Sequence, residues 1–228
     1  YFVFTTIATG FAIGIQIILA RRFGEGDHGR IGVIFQRGSI FVLILGLILF
    51  SILYIFSDHL LLWLIDSPNI YDASLEYINY RQFGIIFVCF NFLYRALYVG
   101  ISNTKVITYS TIIMAVVNIF LDYCLIFGNF GFPEMGIGGA ALASFCAEVS
   151  AFTFFTVYSY ITLRNKDYGM FKLHKLESEL MGRILKLATP TMIQKLFSFS
   201  VWFIFFILIE KMGETATGIS SIVRSVYM

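Results

Sequence analysis

The chain has 228 residues, 58% of them hydrophobic and only 13% charged, with a net charge of +2 and a mean hydropathy of +0.83. A soluble domain carries roughly 25% charged residues, so this composition excludes a water-soluble globule and points to an integral membrane protein. The small net charge argues against a nucleic-acid partner, and three prolines without an alternating polar pattern argue for helices rather than a β-barrel.

Tyr1–Ala20 is an apolar run about one bilayer thick, with small or hydroxylated Thr5, Thr6, Thr9, Gly10 and Gly14 suited to close helix packing. Gln16 is its one strongly polar side chain. Gly24 and Gly26 end the helix, and Arg21, Arg22, Arg30 and Arg37 crowd the following loop, marking it as cytoplasmic. Ser39–Phe56 reads as a second span. The connection Asp58–Asp72 holds an apolar insert, LLLWLI, too short to cross, and Ser67-Pro68 signals a helix start. Acids outnumber bases from Asp58 to Glu76, which places this side outside.

Gln82–Ile101 reads as a third span with Asn91 and Arg95 one turn apart, and Arg95 is placed to snorkel inward. The fourth span, Thr108–Gly128, carries Asn118 and Asp122 on one face. A carboxylate at the bilayer centre costs roughly 2.5–3.5 kcal/mol, so such an acid marks an ion or proton site unless it reaches water near the outer end. After the glycine-rich turn at 128–139, a fifth span runs over Ile137–Leu163, opening with the small residues GGAALAS. Glu148 lies about 16 Å along it, a second acid near mid-membrane. Arg164–Lys186 is basic and reads as a cytoplasmic linker between two blocks of spans. Pro190–Ile209 is a sixth span with Gln194 and Lys195 near its start; Lys195 either snorkels or faces a cavity. Thr217–Met228 begins a seventh.

Cys89, Cys124 and Cys146 sit in apolar runs without ligand spacing, so no disulfide framework or zinc site is expected. His28, His59 and His174 fall in connections, and no HExxH or GxSxG motif occurs, so no enzyme is expected.

The segments ATGFAIGIQIILARRFGEGDHGR, YRALYVGISNTK, NIFLDYCLIFG, GIGGAALAS and LATPTMIQKL resemble, in order and spacing, those of the multidrug and toxic compound extrusion (MATE) family. The resemblance implies an all-α integral membrane protein, part of a twelve-helix, two-lobe transporter. Residues 1–163 would be the N-terminal lobe from helix two to helix six, without helix one and its cation-site aspartate. Residues 164–186 would be the inter-lobe linker and 187–228 the start of the C-terminal lobe. It further implies a sodium or proton site at Asn118 and Asp122, with Ser144 as the helix-six hydroxyl, where relatives often carry Thr. At Glu148 relatives often carry Gln. Gln16, Asn91, Glu148, Gln194 and Lys195 are the expected substrate-cavity residues. The implied function is cation-coupled antiport of organic cations, drugs or toxic metabolites. It would be carried out by a monomer in the inner membrane with no cofactor beyond the coupling ion. A lipid-linked oligosaccharide flippase of related architecture is the alternative, and it would want several cavity cations where only Arg95 and Lys195 offer themselves.

Overall fold

The computed structural model describes residues 1–65, 67–163, 168–170 and 178–227. Among these residues eight α-helices follow in order: α1 Phe2–Gly24, α2 Gly29–Leu64, α3 Pro68–Arg81, α4 Ile85–Gly100, α5 Lys105–Phe127, α6 Gly136–Leu163, α7 Ser178–Glu210 and α8 Glu214–Tyr227. Among the described residues, six stretches are long and apolar enough to cross a membrane, α3 and α4 counting as one, Pro68–Gly100, joined by a short tight turn. Ile44, Tyr54, Val116, Ile119, Ile161 and many similar side chains point outward, uncovered by protein, as lipid-facing residues do.

Three expected spans are corrected in length. The second does not stop at Phe56: α2 continues through LLLWL to Leu64, 36 residues or about 54 Å. Ser57, Asp58 and His59 cost only tenths of a kcal/mol each in a helix, and no Gly or Pro interrupts the run. His59 is therefore helical rather than in a connection, and Arg37 lies inside α2 at 2% exposure rather than in the basic loop. The third membrane stretch begins at Pro68, with Ser67 at the N-cap position, instead of at Gln82. The sixth begins at Ser178 and holds Pro190 in its interior. Pro190 has no N–H for the Lys186 carbonyl, a defect that membrane helices tolerate, and the Thr189 hydroxyl bonds the adjacent Leu185 carbonyl at 2.7 Å. Of the expected linker, 164–167 and 171–177 lie outside the described residues, and Ser178 onward is α7.

Close helix approach is paved with glycine. A Cβ on Gly10 would meet the Met192 backbone at 2.5 Å, and one on Gly14 would meet Ala188 Cα at 2.7 Å, so α1 and α7 cross almost backbone to backbone. Gly100 lets α4 press on Leu19 of α1, and Gly139 lets α6 press on the Leu125 carbonyl of α5. Gly128, at φ +67°, ends α5 in the left-handed conformation that suits glycine. Beyond it the Met135 N–H donates to Leu125 O at 2.8 Å and folds α6 back along α5. The main core collects Phe11, Ile15 and Leu19 of α1, Ile31 and Ile34 of α2, Leu93 and Leu97 of α4, and Phe155 of α6. Stacking of Tyr94 and Tyr98 on Phe155, with hydroxyl bonds Tyr98–Ser159 (2.7 Å) and Tyr94–Thr156 (3.1 Å), locks α4 to α6.

Candidate functional site

α5 has three strips. Tyr109, Ile112, Val116, Ile119 and Phe120 are exposed, while Val106, Ser110, Cys124 and Leu125 are buried. Between them, Ile107, Thr111 and Met114 face a small cavity of about 30 Å³, shared with Asn91 and Arg95 of α4 and Ala151 and Phe155 of α6. Steps of three and four residues carry that strip onward to Asn118 and then Asp122. Both are half-buried. The Asn118 Nδ2 is fully buried with no hydrogen-bond partner among the described residues, a group whose burial costs free energy until something accepts its proton. No basic side chain pairs with Asp122 among the described residues. Ser144 is half-buried on α6, the helix packed along α5.

The second acid sits in a different setting. Glu148 is 8% exposed and receives both ends of the Arg81 guanidinium, Nη1 to Oε2 at 2.7 Å and Nη2 to Oε1. Arg81, also 8% exposed, lies over the Tyr1 ring at 4.3 Å. Asn91 donates from Nδ2 to the Glu148 carbonyl oxygen at 3.0 Å, and its Oδ1 is buried without a partner among the described residues. Gly84 makes room for the pair, since a Cβ there would run into Glu148 Oε2 and meet Arg81 Nη1 at 2.6 Å. Glu148, expected in the substrate cavity, is thus half of a bidentate ion pair tying the α3–α4 junction to α6. Sequence reasoning passed over Arg81 because it placed that residue outside the third span.

Of the remaining expected cavity residues, Gln16 is half-buried on α1, Lys195 half-buried on α7, and Gln194 exposed. The structure brings Asn91 to Glu148 and sets Asn118 beside Asp122; it places Gln16, Gln194 and Lys195 on the α1 and α7 helices that cross each other. Cys89, Cys124 and Cys146 are free thiols. Among the described residues, no three His, Cys, Asp or Glu side chains come together as a metal-binding group.

At the end of the bundle where α1 finishes and α2 and α7 begin, a larger cavity of about 640 Å³ is lined by Arg21, Arg22, Arg30, Arg183 and Lys186 with Glu179. Just outside it Glu25 accepts from Arg21 Nε and Arg22 Nη1, each at 2.8 Å. The Arg21 hydrogen bond, with the charges of both arginines, holds the Glu25 carboxyl below its ordinary range.

The MatE family profile matches residues 1–124, more than half of the chain. The chain belongs to the MatE family. Over 216 residues this MATE chain is 27% identical to a probable multidrug resistance protein NorM of Agrobacterium fabrum, covering 93% of the chain and 46% of that relative. Over 232 residues it is 25% identical to the probable multidrug resistance protein YoeA of Bacillus subtilis, covering 99% and 49%. The chain spans about half the length of the curated relatives it matches. Among solved structures, it overlays a MOP superfamily transporter from Pyrococcus furiosus, one described as having a binding pocket of reversed polarity. The TM-score is 0.79 at 21% identity, over 100% of this chain and 50% of the other. It also overlays an inward-facing multidrug resistance MATE transporter with a TM-score of 0.74 at 21% identity, over 86% and 43%. At those identities the likeness shows the fold: an all-α, multi-pass membrane protein. MATE proteins form a transporter family, not an enzyme family.

Proposed function

We propose that the protein carrying this MATE chain is a cation-coupled antiporter of the cell's inner membrane, exporting organic cations, drugs or toxic metabolites through a twelve-helix, two-lobe frame. One observation carries the reading: Asp122 is a half-buried carboxylate on a membrane helix with no cationic partner among the described residues, one turn from Asn118. An unpaired acid in that setting gains most by taking a positive ion. Sodium would draw on hard oxygens from Asp122, the Asn118 amide and the Ser144 hydroxyl; a proton needs the carboxylate alone. The names of the curated relatives support drug efflux, and the glycine-paved crossing of α1 and α7 supports two blocks able to settle in alternative packings.

In this reading the cation neutralises Asp122 from the outer side and alters how α5 packs, and the blocks rock so that cavity access alternates. An amphipathic cationic substrate leaves as the cation enters. The flippase alternative draws less support. Arg81 is taken by Glu148, and Arg95 lines a cavity of only about 30 Å³ that Lys195 does not reach. The test is efflux of a fluorescent organic cation by the full-length protein in proteoliposomes, with sodium and pH gradients imposed one at a time. Uptake driven by one of the two gradients supports the reading; efflux indifferent to both removes it.

A further inference from the structure

The basic cavity lies away from Asp122 and Glu148, and the antiport mechanism leaves it without a role. Its charges come from three separate helices: Arg21 and Arg22 from the last turns of α1, Arg30 from the start of α2, and Arg183 and Lys186 from the first turns of α7. Among the described residues, Glu179 is the one acid on its wall. Glu25 takes up part of the Arg21 and Arg22 charge, Asp27 lies 3.8 Å from Arg22, and Glu179 lies 3.9 Å from Arg183. Lys186 has no acidic partner among the described residues. An excess of positive loops at one membrane face needs no cavity, but here the cations converge on one from both sides of the α1–α7 crossing. The N-terminal ends of α2 and α7 both lie at this place, and helix N-termini favour negative charge. The rest of the wall is apolar: Ile18, Ile34, Leu180 and Leu187. A volume of about 640 Å³ falls within the range of small-ligand sites, roughly 300–1,000 Å³.

A free phosphate would use the cations and leave the apolar wall wet. An anionic amphiphile uses both, and basic pockets between membrane helices on the positive side are suited to acidic headgroups. We propose that this cavity binds the phosphate headgroup of an anionic phospholipid, the start of its acyl chains lying against Ile18, Leu180 and Leu187. Occupied, the site offsets the repulsion of Arg21, Arg22 and Arg30 against Arg183 and Lys186. The lipid then favours the packing in which α1 and α7 are crossed as seen here.

The test uses the full-length protein, purified and delipidated in detergent, and titrated with dioleoylphosphatidylglycerol, dioleoylphosphatidylcholine or inorganic phosphate. Bound lipid is counted by native mass spectrometry, and the melting temperature is followed in parallel. The expectation is retention of the anionic lipid and a higher melting temperature. In the triple variant Arg30→Gln, Arg183→Gln and Lys186→Gln, affinity falls about a hundredfold, roughly fivefold per charge removed. Lys105→Gln, a basic residue elsewhere on the same side, binds as the parent does. If the triple variant does not purify as a single species, Lys186→Gln alone is expected to bind about fivefold more weakly. Equal retention of the anionic lipid by the parent and these cavity variants overturns the proposal. So does equal binding of the zwitterionic lipid, or stabilisation by inorganic phosphate that matches the lipid's.

Discussion

Glu148 and Asp122 are both carboxylates on membrane helices, and the fold treats them in opposite ways. Glu148 is buried to 8% and held at both oxygens by Arg81, with Asn91 bonded to its own carbonyl. Asp122 is half-buried, with no basic partner among the described residues, one turn from Asn118. The difference separates a structural acid from one available to a ligand. A bidentate guanidinium neutralises Glu148 and joins two helices, leaving no vacancy for an external ion. What separates their roles is whether a cation is already present.

Removing one side of the ion pair is the strongest way to test that contrast. Arg81→Met should destabilise the protein by about 3–5 kcal/mol, because it strands a buried carboxylate. Arg81→Met with Glu148→Met should recover most of that loss, since a buried pair can be replaced by apolar residues at little cost. Thermal unfolding of the full-length protein in detergent reads both; a double variant as unstable as the single would show that the pair does more than neutralise itself.

Gly14→Leu asks whether the α1–α7 crossing depends on a bare backbone. Overpacking at that contact should cost about 1–3 kcal/mol and shift the population away from the crossed arrangement, read by melting temperature and by cysteine cross-linking across the crossing. Unchanged cross-linking would mean that the two helices accommodate a side chain there.

Asp122→Asn should leave stability within about 0.5 kcal/mol, as expected where no ion pair is broken. A loss as large as that of Arg81→Met would reveal a partner for Asp122 and collapse the contrast with Glu148.

The smallest effect concerns Glu25 at the basic end. Its folded-state pKa is depressed by Arg21 and Arg22, so its contribution to stability is present above the unfolded value, about 4.3, and is lost as pH falls through the folded value. Because the group is exposed, Glu25→Gln should barely alter the melting temperature at pH 7 and should slightly flatten its decline below pH 5.

Much of the frame was legible in the residues themselves. Apolar runs place the six membrane stretches, and Gly128 and the GGAALAS opening mark the α5–α6 turn and its close packing. Helix ends were less legible. α2 runs past Ser57-Asp58-His59 and α7 holds Pro190, because tertiary and membrane context overrides propensities worth tenths of a kcal/mol and tolerates a helix-interior proline. For the site, the one-turn spacing of Asn118 and Asp122 is intrinsic to the sequence. The Arg81–Glu148 bond joins residues 67 positions apart, and no local pattern encodes such a pairing. The basic cavity is non-local in the same way, since Arg30 and Lys186 meet only through the fold.

The most direct measurement is gradient-driven efflux by the full-length protein carrying Asp122→Asn, reconstituted beside the parent and beside the double variant Arg81→Met with Glu148→Met. Asp122→Asn should fold normally and lose coupling to either sodium or protons, while the double variant keeps it. Coupled efflux that persists undiminished in Asp122→Asn would contradict the assignment of the cation site to α5.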